Sequence, residues 1–370
     1  MRSYGFFPTR CWPAPDRSAS PPSAAPDHRS TFARFDRSNR RMPADERFLT
    51  RAYQPGDETA ILDLFARSFH APRSMDHFRW KYLENPYGNG HISLTFDSAG
   101  RLVGHYAGYV VPLFRSGDDC HAHQIGDTMT DPSVRHIGRG PTSILGQTAI
   151  HFYSEFCEHK VAYNYGFNVA NIQRFSLRFL RSDRVEPVTY RVREMPISRI
   201  AKVQRWTRGY QLELVTDFTD EYDRFLGRVG PAYQFLVRRD ARYLRWRYLE
   251  CPEPGAFIVA IRKWRRLVGW SVFRVRENRL SWGDALFDPM FLDAIEVLIR
   301  HVAPSYPVDR VEAWFPQRPQ WFADAVARLG FVAGSEPQDL SLMCVPFQMT
   351  DATQRMRDSL YYTMGDSDLF

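Results

Sequence analysis

Residues 126–142 read GDTMTDPSVRHIGRGPT, and this stretch determines how the rest of the chain is interpreted. The pattern Arg-x-x-Gly-x-Gly over 135–140 lies between a predicted strand that ends at Thr130 and a predicted helix over 141–157. Its two glycines let the backbone turn tightly and approach a ligand closely. Free N–H groups and the positive end of the helix dipole then favour an anion such as a diphosphate. The stretch therefore predicts an anion-binding loop.

The segments around this loop predict a layered structure of strands and helices. Their apolar spacing alternates between a period of two and a helical period. The fold class expected from this order is α+β, or mixed α/β, with a mostly antiparallel twisted sheet flanked by helices. In order the segments are strand 48–53, helices 57–68 and 75–84, strands 91–97, 102–114 and 123–130, helix 141–157, strand 160–167 and helix 171–180.

An internal repeat relates the two halves of the chain. Three patterns recur in the same order in both halves, which indicates that one folding unit was duplicated. The aromatic residues of the first pattern are interpreted as packing residues. The patterns are R-W-[KR]-Y-L-E-x-P at 79–86 and 245–252, R-L-V-G at 101–104 and 266–269, and G-D-x-x-x-D-P at 126–132 and 283–289.

The net charge of +7 is concentrated in the first 41 residues, which hold eight Arg and three Asp, or 8 − 3 = +5. This leader is predicted to be disordered, and Met42 resembles a natural start. The rest carries only +2, which argues against nucleic-acid binding.

The chain contains no run of 18 apolar residues, so no membrane span is predicted. The five cysteines form no CxxC pair, which indicates a reduced, cytoplasmic compartment without a zinc site.

The loop and its flanking elements resemble those of the GNAT (GCN5-related) N-acyltransferase superfamily. Those enzymes place R-x-x-G-x-G between their fourth strand and third helix and hold the pyrophosphate of acetyl-CoA there. The segment YGFNVAN at 165–171 is similar to their fifth strand and the start of their fourth helix. The resemblance covers residues 48–185 directly and residues 230–346 through the internal repeat.

The second half departs from the family at the loop. A predicted helix over 290–300 follows Pro289 at once, and the glycine pattern is missing. We therefore expect one acyl-CoA site in the chain and a second unit that acts as a structural partner. The expected organisation is a basic leader at 1–41, a catalytic GNAT-like domain at 42–200, a connector at 201–229, a degenerate GNAT-like domain at 230–346 and a tail at 347–370.

The resemblance implies direct attack of an amine on an acyl thioester, with acetyl-CoA or another acyl-CoA as co-substrate and no metal. A main-chain N–H within 128–130 would polarise the thioester carbonyl. Asn171 would contact the pantetheine arm or cap its helix. The cofactor-binding residues that the resemblance implies are Met129, Thr130, Arg135, Ile137, Gly138, Arg139, Gly140, Thr142 and Asn171.

Asp127 is the favoured base because it lies on the fourth strand beside the expected reaction centre. The recurrence of this residue as Asp284, in the half without the loop, favours a structural role equally. His151 and Glu155 are weaker candidates for the base. The family's acid is often a tyrosine of the fourth helix, which is absent here; Tyr165 takes its place in our assignment, with Tyr163 or water as alternatives.

The chain ends in LYYTMGDSDLF at 360–370, and its apolar and aromatic residues predict a segment that docks on the protein. Asp366 and Asp368 could reach an acceptor amine, and a solvated acidic turn is the alternative interpretation. The acceptor expected is a small-molecule or sugar amine. Two other functions stay open, a non-catalytic acyl-CoA-binding regulator and an aminoacyl-transferase-like enzyme, and the oligomeric state is unknown.

Overall fold

Two β-sheets carry the fold of the computed structural model, which describes residues 47–114, 120–200 and 207–370. All of these residues belong to one compact unit, residues 45–370. The leader over 1–41 and its predicted disorder lie outside the described residues. In the part of the chain that the structure describes, no helix has the length and apolarity that crossing a membrane requires.

Within the described residues, the first half of the chain supplies seven strands and four α-helices. Helix α1 buries Ile61, Leu64 and Phe65 on one face, as its helical apolar spacing predicts. The elements are β1 (Phe48–Ala52), α1 (Glu58–Phe69), α2 (Met75–Tyr82), β2 (Ile92–Asp97), β3 (Leu102–Phe114), β4 (Cys120–Thr130), α3 (Ile144–Phe152), β5 (Tyr163–Asn168), α4 (Ala170–Phe179), β6 (Asp183–Pro187) and β7 (Tyr190–Glu194).

The second half supplies the remaining strands and helices of the described residues. They are β8 (Tyr210–Leu214), α5 (Asp220–Tyr233), β9 (Phe235–Val237), α6 (Ala241–Leu244), β10 (Ala256–Lys263), β11 (Arg266–Arg276), β12 (Arg279–Phe287), α7 (Asp293–Val302), β13 (Arg310–Trp314), α8 (Gln320–Arg328), β14 (Val332–Gly334), β15 (Ser341–Pro346), α9 (Ala352–Ser359) and β16 (Leu360–Tyr361).

The two sheets have the same strand order. The first runs β1-β2-β3-β4-β5-β15-β6, and the second, read from its β8 end, runs β8-β10-β11-β12-β13-β7-β14. Neighbouring strands on these paths are antiparallel except β4 with β5 and β12 with β13, which are parallel. This mixed sheet flanked by helices confirms the expected fold class.

The halves exchange strands: the first sheet contains β15, β9 and β16 of the second half, and the second sheet contains β7 of the first half. Strand β15 inserts between β5 and β6 of the first sheet, and β7 inserts between β13 and β14 of the second. A strand contributes main-chain hydrogen bonds along both of its edges, so this exchange ties the halves together. The domain boundaries given above do not include it and remain a prediction.

The first aromatic pattern of the repeat lies where the halves meet. The rings of Trp80 and Trp246 stack with their centroids 5.2 Å apart. Trp80 Nε1 donates to the carbonyl of Trp246 at 2.7 Å, and Trp246 Nε1 donates to the carbonyl of Trp80 at 3.0 Å. This reciprocal contact between equivalent residues indicates that the two halves face each other about a local twofold axis.

The helix predicted over 141–157 is divided into three segments. A 3₁₀ turn covers Gly140–Thr142, α3 begins at Ile144, and a π-helical segment covers Tyr153–Cys157. Ser143 caps α3 by accepting from the N–H of Gly146, which places the α-helical start three residues later than predicted. Proline at 141 fits the preceding turn instead.

Candidate functional site

Strands β4 and β5 pair at only two positions and then separate. The parallel pairs are His123 with Asn164 and Gln124 with Tyr165, although β4 continues to Thr130 and β5 to Asn168. Parallel strands that stop pairing in mid-course leave main-chain groups on both facing edges free to bind a ligand. The first sheet therefore contains a wedge-shaped gap.

A β-bulge in β4 lies beside this gap. Between β3 and β4 the register shifts, so that His105 faces Met129 whereas Ala107 faces Gly126. The extra residue on β4 is accommodated at Asp127, which has a left-handed φ of 49°. A bulge bends its strand and re-aims the side chains that follow. It turns Thr128 toward the gap.

A cleft lies over the gap on the side of α3 and α4; it encloses only about 30 Å³ and reaches about 420 Å³ when the open solvent at its mouth is included. Thr128 and Ile125 of β4 line one side, and Asn168 of β5 lines the other. The lining is largely apolar, with polar groups from a few side chains, as in many small-molecule sites. Further lining residues are Tyr106, Tyr153, Ile172, Ser176, Met343 and Val345.

The glycine loop follows β4 directly and leads into α3. Gly138 and Gly140 have φ values of 69° and 56°, in the left-handed region that favours glycine. A Cβ on Gly138 would lie 2.2 Å from the carbonyl oxygen of Thr142, and a Cβ on Gly140 would lie 2.7 Å from the ring of Phe179. Both positions therefore require glycine for conformation and for space.

The loop combines main-chain donors with two cations; Gly138 is exposed, whereas Gly140 is buried. Among the described residues, the N–H groups of Gly138, Gly140 and Leu145 have no hydrogen-bond partner. Arg135 and Arg139 are exposed. Such donors near a helix start, next to two guanidinium groups, can hold a phosphate or diphosphate.

The other residues implied as cofactor ligands lie at or near this loop. Met129 has its side chain in the core beneath α1 and α2, so only its main chain is available to the cleft. Thr130 accepts from Arg135 Nε at 3.0 Å through its carbonyl, and Ile137 is half-buried. Thr142 is exposed and exchanges hydrogen bonds with the main chain of Arg139. Their contact with a cofactor remains a prediction.

Asn171 is exposed in the first turn of α4 and accepts a hydrogen bond from Arg174. It does not cap the helix, because the N-cap position is Val169, which makes no side-chain cap hydrogen bond. Of the two roles considered for Asn171, the capping role is therefore wrong.

Asp127 lies in a dense cluster of donors. Its Oδ2 accepts from Arg73 at 2.5 Å, Lys81 at 2.9 Å and the Tyr82 hydroxyl at 2.8 Å. Burial alone would raise its pKa, but Lys81 and Arg73 reverse that effect and hold the pKa well below its ordinary value. A carboxylate that binds protons so weakly is a poor general base. The geometry therefore opposes the role that the sequence favoured for Asp127.

The same cluster recurs around Asp284 in the second half. Asp284 accepts from Arg239 at 3.0 Å and from the Tyr248 hydroxyl at 2.6 Å. Because these partners stand at the positions equivalent to Arg73 and Tyr82, the pair of aspartates has a common structural role. Asp127 ties Arg73 and α2 to β4, and Asp284 ties Arg239 and Tyr248 to β12.

Tyr165 also has a structural contact. Its hydroxyl donates to the carbonyl of Asp366 at 3.1 Å, and its side chain is buried. Burial raises the pKa of Tyr165 well above its ordinary value. Tyr165 lines the cleft, yet its ring packs in the core with Tyr163 and Phe167 and its hydroxyl is engaged with Asp366. Its role as the proton donor remains a prediction. Tyr163 is equally buried.

The weaker base candidates lie on the far part of α3. His151 forms a hydrogen bond of 2.8 Å with Ser93, and burial lowers its pKa. Glu155 is exposed in the π-helical segment. Neither residue lines the cleft.

The gap that corresponds to the cleft is filled in the second sheet. Trp282 and Phe287 of β12 are fully buried and pack on Phe322. The ring of Phe370 covers Gly283 so closely that a Cβ there would lie 1.9 Å from it. No glycine loop follows β12, since a 3₁₀ turn over Pro289–Phe291 leads into α7. The second sheet therefore lacks both the space and the loop.

The C-terminal segment was only partly anticipated. Tyr361, Tyr362 and Phe370 are buried, which confirms that the segment docks. Asp366 is buried as well and pairs with Arg239 at 2.7 Å, so the solvated acidic turn is wrong for this residue. Asp368 lies near Lys81 and Gln124 of the first half, two residues that sequence reasoning did not single out.

Comparison with known proteins places these features in a family context. Residues 50–178 match the family model of the acetyltransferase (GNAT) domain. No curated protein matches the sequence. The matched range contains β4, the loop, α3 and β5, which are the elements that form the cleft.

Solved structures resemble both sheets at low sequence identity, which establishes the fold alone. A conserved protein of unknown function from Enterococcus faecalis V583 is 11% identical, with a TM-score of 0.61 over 82% of this chain and 73% of that one. A GCN5-related N-acetyltransferase from Kribbella flavida is 12% identical, with a TM-score of 0.58 over 80% of this chain and 70% of that one. A GCN5-related N-acetyltransferase from Anabaena variabilis is 14% identical, with a TM-score of 0.60 over 80% of this chain and 72% of that one.

Proposed function

We propose, starting from the match of residues 50–178 to the acetyltransferase (GNAT) domain model, that this chain is an acyl-CoA-dependent N-acyltransferase with one cofactor site. The observation that carries the proposal is the junction of the β4–β5 gap with the glycine loop. The cleft is lined by Thr128 of β4 and by Leu145 in the first turn of α3, and the loop with its anion-binding donors connects these two elements.

The loop fits the diphosphate of an acyl-CoA. The N–H groups of Gly138 and Gly140 would face its oxygens, while Arg135 and Arg139 would add charge-assisted hydrogen bonds. The pantetheine arm would then run into the cleft past Thr128 and Asn168, where separated strand edges offer main-chain partners.

The chemistry proposed is transfer of the acyl group to an amine. The amine nitrogen forms a bond to the acyl carbon, the carbon–sulfur bond breaks, and coenzyme A leaves as a thiolate that takes up a proton. A main-chain N–H within 128–130, beside the bulge, would stabilise the developing oxyanion. Small-molecule or sugar amines are the proposed acceptors, and acetyl is the proposed acyl group.

A non-catalytic acyl-CoA-binding protein is the second candidate. It is favoured by one observation, which is that both groups assigned to proton transfer, Asp127 and Tyr165, are engaged in structural contacts. Turnover separates the two functions, because a binding protein would release no free coenzyme A. Nothing in the site favours the aminoacyl-transferase alternative.

The decisive experiment measures free thiol from acetyl-CoA in the presence of primary amines. The full-length chain is expected to release coenzyme A in an amine-dependent way. The double variant Arg135→Ala/Arg139→Ala should raise KM for acetyl-CoA about 10-fold or more, because charge-assisted hydrogen bonds are the strong ones. Arg328→Ala, an exposed arginine on α8, is the matched control and should behave as wild type. Binding of acetyl-CoA without any thiol release would support the non-catalytic alternative.

A further inference from the structure

The face of β4 that points away from the cleft carries a second group of polar side chains. Gln124 and Gly126 lie two positions apart on the strand and face the same side, whereas Ile125 between them lines the cleft. Asp368 lies over Gly126, where an added Cβ would be 2.3 Å from its Oδ2. Glycine at 126 thus makes room for a carboxylate against the strand.

The C-terminal segment is held so that Asp368 has a fixed position. Arg247 donates to the carbonyls of Gly365 and Ser367 at 3.2 and 2.9 Å. Lys81 Nζ lies 3.2 Å from Asp368 Oδ2. The side chain of Asp368 is 18% exposed, whereas that of Lys81 is 2% exposed. Asp368 is therefore positioned by buried cations and still reaches solvent.

Gln124 supplies an independent sign that this place binds a donor. Its side-chain nitrogen donates to the carbonyl of Ile125 at 3.0 Å and to Asp368 Oδ1 at 3.4 Å. Both partners are acceptors, so the amide orientation is fixed by chemistry. Its Oε1 is buried and has no hydrogen-bond partner among the described residues. A buried acceptor without a donor is costly unless a ligand completes it.

We propose that Gln124 and Asp368 form the subsite for the primary amine that is acylated. This inference rests on the proposed function and names its acceptor class. An amine offers the N–H donors that Gln124 Oε1 and the Asp368 carboxylate accept. The subsite lies where β4 and β5 separate, since Gln124 belongs to the last pair before the gap. Ile125 and Tyr165, which line the cleft, are the strand neighbour and the cross-strand partner of Gln124, so the subsite adjoins the cleft.

The subsite also provides a destination for the proton. As the nitrogen bonds to the acyl carbon and the carbon–sulfur bond breaks, the proton that the nitrogen loses passes to the Asp368 carboxylate and then to solvent. The departing thiolate takes its proton from water. Near neutral pH a free aliphatic amine is mostly protonated, so it gives one proton to solvent before its nitrogen attacks as the neutral nucleophile.

The test compares variants of the full-length chain with acetyl-CoA and three probe amines, tyramine, spermidine and glucosamine. Asp368→Asn and Gln124→Met should lower the amine-dependent kcat/KM about 10- to 100-fold, the range expected for hydrogen bonds to charged groups. The dissociation constant of acetyl-CoA should not change, and Asp368→Glu should recover part of the turnover. Asp358→Asn, an exposed carboxylate on α9, should behave as wild type.

Three results would overturn the inference. Wild-type turnover by both Asp368→Asn and Gln124→Met would make the cluster purely structural. Equal loss of acetyl-CoA affinity in these variants would place their effect on the cofactor side. Acetyl-CoA binding with no acceleration by any of the three amines would reject an amine subsite while the cofactor site stands. Failure of wild type to bind acetyl-CoA at all would instead reject the proposed function, and the subsite with it.

Discussion

At the scale of single residues, the partners of a side chain decide its chemistry more than its place in a motif. Asp127 stands in the expected position on β4, yet three donors converge on one of its oxygens. Those donors lie 45 to 54 positions earlier in the chain. A carboxylate beside a reaction centre and a carboxylate at the centre of an ion cluster look the same in the sequence.

Replacement of Asp127 tests its structural role. Asp127→Asn should lower the free energy of unfolding by about 3–5 kcal/mol, because buried Lys81 and partly buried Arg73 would then have only Asp368 to balance their charges. Urea unfolding of the variant measures the loss. The folded fraction should keep the wild-type pH profile of turnover, with Asp358→Asn as the exposed control. A profile that changes while stability stays constant would restore Asp127 as the base.

Two glycines of the chain form a matched pair for a second prediction. Gly140→Ala should destabilise the protein by about 1–2 kcal/mol, since its φ of 56° is left-handed and its Cβ would meet Phe179. It should also weaken acetyl-CoA binding. Gly227→Ala, on an exposed face of α5 with no atom within 4 Å of its Cβ, should stabilise the protein by about 0.4–1 kcal/mol. Calorimetry measures the affinity of both variants for acetyl-CoA, and thermal unfolding measures their stability. Equal stability and equal affinity in the two variants would contradict the loop geometry.

At the scale of elements, the sequence predicted the strands and helices but not how they pair. Local periodicity predicts β3 at 102–114, and the repeat predicts two similar sheets. Nothing local marks β7 and β15 as exchanged strands, because each pairs with segments more than 100 positions away. The start of α3 was also misplaced, since Ser143 competes with Pro141 as the first-turn signal and the cap hydrogen bond decides.

The packing of β2, β3 and β4 predicts a pH-dependent stability. Burial lowers the pKa of His91 to about 4, of His105 to about 4 and of His123 to about 3. Each ring is therefore neutral when folded but protonates near pH 6.5 when unfolded. Their stabilisation is fully present above about pH 6.5 and is lost as the pH falls toward about 4, at about 1.4 kcal/mol per pH unit for each group.

Urea unfolding from pH 7.5 to 4.5 measures this dependence. His123→Gln should reduce the slope of unfolding free energy against pH by about one proton, whereas His136→Gln, in the exposed loop, should leave it unchanged. A stability that is constant from pH 6.5 to 4.5 would contradict neutral burial of the three rings.

At the scale of the whole molecule, two sheets with the same strand order differ in whether they leave a gap for a ligand. The first keeps a gap that a glycine loop follows, and the second fills the equivalent gap with Trp282 and Phe287, while Phe370 covers Gly283, the counterpart of Gly126. The missing loop was visible in the sequence because it removes a motif. The packing of Phe370 on Gly283 could not be predicted from the sequence, because the two residues lie 87 positions apart in the chain. The exchanged strands, the stacked tryptophans and the C-terminal segment make the second half a support for the first.

The measurement that tests the central claim most directly is a calorimetric titration of the full-length chain with acetyl-CoA. The account predicts one molecule bound per chain, with affinity that falls about 10-fold or more in Arg135→Ala/Arg139→Ala and is unchanged in Arg328→Ala. Two sites per chain would contradict the filled second sheet. No binding, or binding indifferent to the loop arginines, would contradict the assignment of the β4–β5 cleft and its glycine loop as an acyl-CoA site.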